Sequence, residues 1–118
     1  MADLTKGSCN CGSVHWEVMG EMRPIVACHC KLCQKQSGFY YAATAAQDDT
    51  LKVIGDSLKW YQSSGDAKRG FCGVCGSALF WKKDGESFTS ILAGSIDSLH
   101  DLKIVKHICV DEKASYYE

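Results

Sequence analysis

The sequence has little of what marks membrane, nucleic-acid-binding or disordered proteins: one proline, no long apolar run and almost no net charge. A membrane-spanning helix needs roughly 18 to 20 apolar residues in a row, and no segment approaches that length. Thirteen basic against fourteen acidic residues leave a net charge of -1, whereas nucleic-acid binding usually requires a clustered basic surface. We therefore expect no membrane segment and no nucleic-acid partner.

Cysteine is the residue type in excess, with eight in a chain of 118 residues. Residues 1–8 lack the hydrophobic core of a signal peptide, so we expect a soluble, cytoplasmic protein. In a reducing compartment many cysteines indicate metal or thiol chemistry rather than a disulfide framework. The length suits one hydrophobic core, which predicts a single domain over residues 1–118.

Strand patterns dominate the chain. Val14, Trp16 and Val18 alternate with His15, Glu17 and Met19, as in a half-buried strand. Other strands are predicted at 39–46, 51–54, 58–61, 78–81, 88–92 and 104–110.

Turn and capping residues connect these elements. Gly55-Asp56-Ser57 predicts a hairpin between strands 51–54 and 58–61, and Asp84-Gly85 predicts another between strands 78–81 and 88–92. A single short helix is predicted over 31–36, ended by Gly38. The expected fold is mainly β, built from short antiparallel strands with one short helix.

The first cysteine constellation combines two pairs. Cys72 and Cys75 flank a tight turn that brings two sulfurs to one ion, and Cys9 and Cys11 lie in a similar glycine-flanked bend. Four thiolates close the coordination sphere of zinc, which predicts a structural role. A disulfide or four unrelated core cysteines are the alternatives.

The second constellation places three cysteines within six residues, at Cys28, Cys30 and Cys33. Cys30 and Cys33 share one face of the predicted helix, and Cys28 enters from the strand before it. Three protein ligands plus one open position are typical of catalytic zinc. His29 or Cys109 as a fourth ligand, or Cys30 and Cys33 as a redox pair, remain alternatives; we expect Cys109 to be an apolar core residue on the last strand.

Other polar residues give weaker indications. His107 is a candidate for a group that contacts a zinc ligand, whereas His15 and His100 are expected to be ordinary surface or core residues. Basic residues flank the cysteine motifs and could attract an acidic substrate, but a solvated charged face is the simpler interpretation. These residues are Lys31, Lys35, Lys68 and Arg69.

Taken together, these motifs resemble the glutathione-dependent formaldehyde-activating enzyme family, also called the centromere protein V/Gfa domain family. The matching segments are Gly7-Ser8-Cys9-Asn10-Cys11-Gly12, Cys28-His29-Cys30-Lys31-Leu32-Cys33 with Ser37-Gly38, Phe71-Cys72-Gly73-Val74-Cys75-Gly76 with Leu79-Phe80, Gly94-Ser95-Ile96-Asp97, and the tail from His107 to Tyr116. Cys109 and Tyr116 differ from the aromatic residue and the tryptophan that are more common there in the family.

The resemblance implies a β-tent zinc fold and two zinc ions per chain. Cys9, Cys11, Cys72 and Cys75 would hold the structural zinc, and Cys28, Cys30 and Cys33 the catalytic one. The family activity is a carbon–sulfur lyase type of reaction, joining formaldehyde to the thiol of glutathione as an S-(hydroxymethyl)glutathione synthase does.

From these residues we expect an incoming thiol to lose its proton at the open zinc and to add to an aldehyde. The partners would be a small thiol, such as glutathione, and an aldehyde. Lack of a lid-like insertion suggests that a second copy of the chain helps to shape the pocket. The alternatives are a zinc-stabilised interaction module without catalysis and a thiol redox or metal-sensing protein.

Overall fold

The computed structural model describes residues 3–117, and most of its regular structure is strand, as predicted. The strands are β1 (Leu4–Ser8), β2 (His15–Met19), β3 (Ile25–Cys28), β4 (Tyr41–Gln47), β5 (Leu51–Ile54), β6 (Leu58–Ser64), β7 (Ala67–Cys72), β8 (Ala78–Lys83), β9 (Phe88–Leu92) and β10 (Ile104–Ile108). The helix α1 (Lys31–Ser37) lies between β3 and β4, and short 3₁₀ turns occupy Asp48–Thr50, Ala93–Ser95 and Val110–Glu112.

The strands form two sheets. One has three strands in the order β1-β2-β5, and the other has seven in the order β10-β3-β4-β9-β8-β7-β6. Neighbouring strands are antiparallel except β10, which pairs with β3 in parallel. A parallel pair requires a long crossover rather than a hairpin. Residue patterns within one strand do not specify the direction of its neighbour.

The main core lies where the two sheets meet. Trp16 and Val18 on β2 are fully buried, whereas His15 and Met19 are exposed, which confirms the predicted alternation. They belong to one cluster with Leu79, Phe80 and Ile91 from the larger sheet. Cys9 and Cys72 belong to the same cluster, so the core reaches the first cysteine constellation.

The two predicted hairpins had different outcomes. Strands β8 and β9 pair across the Asp84-Gly85 turn as predicted. The hairpin predicted across Gly55-Asp56-Ser57 is wrong, because β5 pairs with β2 and β6 pairs with β7. The Ser57 carbonyl accepts a 2.7 Å hydrogen bond from the Gly73 amide. This turn is therefore held against the loop between Cys72 and Cys75, and it connects a strand of one sheet to a strand of the other.

The helix and the last strand complete the fold. Helix α1 ends at Ser37 and is capped by Gly38, whose amide donates to the Gln34 carbonyl at 2.8 Å, as the capping pattern predicts. The last strand ends at Ile108, before the predicted end at 110. Among residues 3–117, no helix is long and apolar enough to span a bilayer.

Candidate metal centres

Cys9, Cys11, Cys72 and Cys75 converge on one point. Their four sulfurs lie within 4.8 Å of one another. Cys11 Sγ is 3.7 Å from both Cys9 Sγ and Cys72 Sγ. Tetrahedral zinc with bonds of about 2.3 Å separates its sulfurs by about 3.8 Å. The donor type and the spacing therefore fit one zinc ion.

Two similar turns present these sulfurs. The Gly12 amide donates to the Cys9 carbonyl at 3.2 Å, and the Gly76 amide donates to the Cys72 carbonyl at 2.9 Å. Both glycines have φ of +81°, a conformation that side chains rarely adopt. Each pair thus lies in a short loop after a strand, one in each sheet, and the site joins the two sheets.

Hydrogen bonds prepare this cluster for an ion. The Ser77 hydroxyl lies 3.2 Å from Cys75 Sγ and, with nearby backbone amides, lowers the pKa of the Cys75 thiol to about 5. Cys72 Sγ has the Ser13 hydroxyl at 3.2 Å and accepts amide hydrogen bonds that lower its pKa as well. Thiolate is the form that binds a metal, so these two ligands are favoured in the required state.

Cys28, Cys30 and Cys33 form a second cluster, and their sulfurs also lie within 4.8 Å of one another. Cys28 ends β3 and Cys33 lies in the first turn of α1. Cys30 caps the helix, and its sulfur accepts the Cys33 amide at 3.4 Å. The hydrogen bond to Cys33 and burial raise the pKa of Cys28. A divalent cation reverses that preference by stabilising thiolates.

The alternative in which His29 supplies a fourth ligand is not supported by the geometry. The side chain is buried, with Nδ1 2.8 Å from the Tyr117 hydroxyl and Nε2 2.9 Å from Nδ1 of His107. Both ring nitrogens are therefore engaged away from the sulfurs. Burial and the nearby charges of His107 and Lys113 lower the pKa of His29. His107 contacts the residue between two cysteines rather than a cysteine itself.

The prediction that Cys109 is a core residue is wrong. It is exposed, and its φ of 55° is the only positive value among non-glycine residues of 3–117. This backbone turn directs the chain out of β10 and places the side chain beside Cys28 at the cavity described below. Burial and the Cys28 sulfur raise the pKa of the Cys109 thiol, which favours its protonated form. Cys109 lies outside the group of three mutually close sulfurs.

Arg69 also differs from the sequence-based expectation. It is only 4% exposed rather than part of a solvated face. Nη2 donates to Cys33 Sγ at 3.6 Å and Nη1 donates to Gln36 Oε1 at 3.2 Å. The guanidinium lies over the Tyr41 ring, 4.8 Å from its centre. Burial disfavours its charge, but Cys33, Tyr41 and Cys30 outweigh this and raise the pKa of Arg69.

Of the other three basic residues, two are exposed as expected and one is partly buried. Lys31 and Lys35 are exposed on α1, and Lys68 is partly buried on β7. One feature of the sequence is consistent with a buried Arg69. The small apolar residue Ala67 lies two positions before it, and residues two apart in a strand lie on the same face, which is the buried face of β7.

A cavity of about 400 Å³ adjoins the three-cysteine cluster. Cys28, Cys30 and Cys33 line it together with Arg69, Tyr41 and Trp81, and most of its remaining wall is apolar. Small-molecule sites usually have this size and character. None of the four cysteines of the first cluster lines this cavity.

Comparisons with known proteins agree with this geometry. The model of the family named glutathione-dependent formaldehyde-activating enzyme matches residues 4–112. A Schizosaccharomyces pombe protein named an uncharacterized lyase is 24% identical over 114 residues, covering 96% of this chain and 83% of that one. A Halomonas elongata protein named as a glutathione-dependent formaldehyde-activating enzyme is 37% identical over 86 residues, covering 65% of this chain and 55% of that one.

A solved structure shares the fold. The crystal structure of a Rhodobacter sphaeroides protein superposes with a TM-score of 0.70 at 26% identity, covering 86% of this chain and 98% of that one. The family match extends over both cysteine constellations and all ten described strands. The chain therefore belongs to the glutathione-dependent formaldehyde-activating enzyme family.

Proposed function

We propose that the protein is a zinc-dependent enzyme that adds an aldehyde such as formaldehyde to a thiol such as glutathione. The reaction takes place at Cys28, Cys30 and Cys33, and Cys9, Cys11, Cys72 and Cys75 hold a second, structural zinc. The family and the lyase name of one relative support an enzyme of lyase type. The choice of glutathione and formaldehyde as the two substrates follows the name of the family and of one relative.

The observation that carries the proposal is the contrast between the two clusters. The four-cysteine cluster has enough sulfurs to complete a tetrahedral sphere and none of them lines the cavity. The three-cysteine cluster is one ligand short of that sphere, and all three of its residues line the cavity. A closed site suits a structural ion, and an open site beside a cavity suits a substrate.

Cys28, Cys30 and Cys33 would hold a zinc ion, which would supply a Lewis acid that favours the deprotonated form of a thiol. The other roles belong to the protein itself. The three cysteines lie at the cavity, and Arg69 places a positive charge beside Cys33. The mostly apolar walls reduce the amount of water around the reactants, and confinement of both reactants lowers the barrier for addition.

The addition needs no oxidant or reductant. A carbon–sulfur bond forms, the π bond of the carbonyl breaks, and one proton passes from sulfur to the carbonyl oxygen by way of solvent. Elimination is the same step reversed, which agrees with a lyase type of activity. The protein is therefore expected to speed the reaction in both directions without shifting its equilibrium.

The test begins with zinc content per chain in protein purified under reducing conditions without chelator, where about two ions are expected. The rate of hemithioacetal formation from glutathione and formaldehyde is then compared with the uncatalysed rate, since these reactants also combine unaided. Cys30→Ala should reduce the rate to the uncatalysed value while the fold persists. Cys109→Ala removes the cysteine beside Cys28 that could close the site as a fourth ligand, and it should retain activity if the fourth position is open to substrate. Full activity in Cys30→Ala would refute the open-zinc mechanism.

A second function has one observation in its favour. Cys30 Sγ and Cys33 Sγ lie 3.1 Å apart as free thiols, as a redox pair would before oxidation. About one zinc per chain, with a Cys30–Cys33 disulfide that forms and breaks at a physiological potential, would favour that function. Two zincs with no catalysis and a stoichiometric protein partner would instead indicate an interaction module.

A further inference from the structure

Arg69 is a buried cation without a carboxylate partner. Within residues 3–117 the one side-chain ion pair joins Lys82 and Asp48 and does not include Arg69. Nε of Arg69 is buried and has no hydrogen-bond partner among those residues. A buried charge is costly unless an opposite charge and hydrogen bonds compensate it. Something in this site must therefore supply the negative charge.

The sulfur cluster is the candidate for that charge. Of the contacts made by the guanidinium, Gln36 offers a neutral amide and Tyr41 the face of its ring, so Cys33 Sγ is the contact that can carry a full negative charge. The residues that line the cavity include no aspartate or glutamate. A thiolate accepts a far stronger hydrogen bond from a guanidinium than a neutral thiol does.

The charge balance differs between the two clusters. Three thiolates on a divalent ion leave a single negative charge, which Arg69 cancels. The four-cysteine cluster carries two negative charges when loaded, and its sulfurs receive hydrogen bonds from serine hydroxyls and backbone amides instead. The three-cysteine site is therefore the one arranged to accept a further anion at little electrostatic cost.

We propose that Arg69 is a positioning residue that neutralises the zinc-loaded three-cysteine site, so that the fourth ligand it selects is an anion, the thiolate form of the substrate. The substrate class follows: thiols that bind through a deprotonated sulfur are preferred over neutral oxygen ligands of the same size. This inference rests on the proposed function only in placing zinc on Cys28, Cys30 and Cys33.

Zinc affinity tests the proposal without any catalysis. Competition with a chelator gives a dissociation constant for each site in wild type, Arg69→Met, Arg69→Lys and Lys68→Met. Arg69→Met should weaken the three-cysteine site about 10- to 100-fold, as loss of a group that contacts a ligand typically does, and leave the four-cysteine site unchanged. Arg69→Lys should restore most of the affinity.

Lys68→Met is the matched control. It removes one positive charge from the neighbouring position of β7, but Lys68 Nζ lies over the Trp60 ring at 4.5 Å and not against the cluster. No change at either site is expected. Equal weakening of both sites in Arg69→Met, or equal effects in Lys68→Met and Arg69→Met, would overturn the proposal, because packing or general surface charge would then explain the result.

A second readout tests anion selection. In protein loaded with cobalt, visible absorption reports the fourth ligand during titration with 2-mercaptoethanol and, separately, with ethylene glycol. Wild type should bind the thiol at least tenfold more tightly than the Arg69→Met variant does, with ethylene glycol unbound in both. Equal thiol affinity in the two proteins would refute the role of Arg69. Absence of catalysis together with these shifts would refute the proposed function and leave this inference standing.

Discussion

Gly7 lies where a single added methyl group should be costly. A Cβ built on this residue would be 2.3 Å from Cε2 and Cζ2 of Trp16 and 2.4 Å from the Ser95 backbone oxygen. Ordinary van der Waals contacts begin near 3.4 Å, so the overlap is about 1 Å at three atoms. Trp16 is fully buried and its Nε1 donates to Ser95 Oγ at 3.0 Å. Neither the Trp16 ring nor the Ser95 backbone therefore has free space into which it can move to relieve the overlap.

Overpacking of a core usually costs about 1 to 3 kcal/mol. Because a backbone atom and a buried ring are both struck, we expect Gly7→Ala to lose about 3 kcal/mol, or about 10 °C in Tm for a domain of this size. Gly7 also precedes Cys9 by two residues and pairs with Ile96 between the sheets. The displaced strand should weaken zinc binding at the four-cysteine cluster as well.

Thermal unfolding of the zinc-loaded protein, followed by far-UV circular dichroism, measures this effect. Gly94→Ala is the matched control, since a Cβ at Gly94 meets nothing within 4 Å. It should leave Tm unchanged or raise it slightly, because alanine restricts the unfolded chain. A Tm of Gly7→Ala within about 2 °C of the Gly94→Ala value would show that the two sheets yield at this point and that the packing argument is wrong.

Two further variants probe the structural cluster and the surface. Cys72→Ala should abolish cooperative unfolding and the near-UV signal, because a structural zinc contributes about 10 to 16 kcal/mol, comparable to the whole stability of a domain; a well-folded variant would contradict the structural role. Burial alone would raise the pKa of Asp48, but hydrogen bonds from Lys82 and Thr89 lower it overall. The stability from this carboxylate is present at neutral pH and lost as pH falls through the lowered pKa. Asp48→Asn should therefore cost less than about 1 kcal/mol at pH 7, and its Tm deficit should start to shrink as pH falls below about 4 and close only below the lowered pKa; a deficit that does not shrink on acidification would refute the assignment.

Local chemistry explains which features could be predicted from the sequence. The spacing of Cys72 and Cys75, the capping Gly38 and the Asp84-Gly85 turn each act over a few residues, so the residues themselves define the geometry. The alternation of Trp16 with its neighbours likewise reports one buried face. The two sulfur groups and the helix were predictable for this reason.

The pairing of strands and the burial of individual side chains could not be predicted in the same way. Strand β5 pairs with β2 and β6 pairs with β7, and Ser57 between them accepts a hydrogen bond from Gly73, a residue distant in sequence. Arg69 is buried because Cys33 on α1 and Tyr41 on β4 surround it. Cys109 leaves the sheet through a backbone turn that no residue pattern marks. Each of these depends on contacts that exist only once the sheets have assembled.

Along the sequence, the three-cysteine cluster lies between the two halves of the four-cysteine cluster. Cys11 and Cys72 are 61 positions apart, and the segment between them contains Cys28, Cys30 and Cys33. The three-cysteine cluster comes from one short stretch whose backbone is held by strand β3 and helix α1. Loss or binding of a metal ion there should therefore disturb only the local backbone. Opening the four-cysteine cluster would release both ends of the segment that contains Cys28, Cys30 and Cys33. If each cluster holds zinc as proposed, the metal should be lost in a fixed order: zinc at Cys28, Cys30 and Cys33 would exchange while the fold persists, whereas loss of zinc from the four-cysteine site would remove the support of both sites.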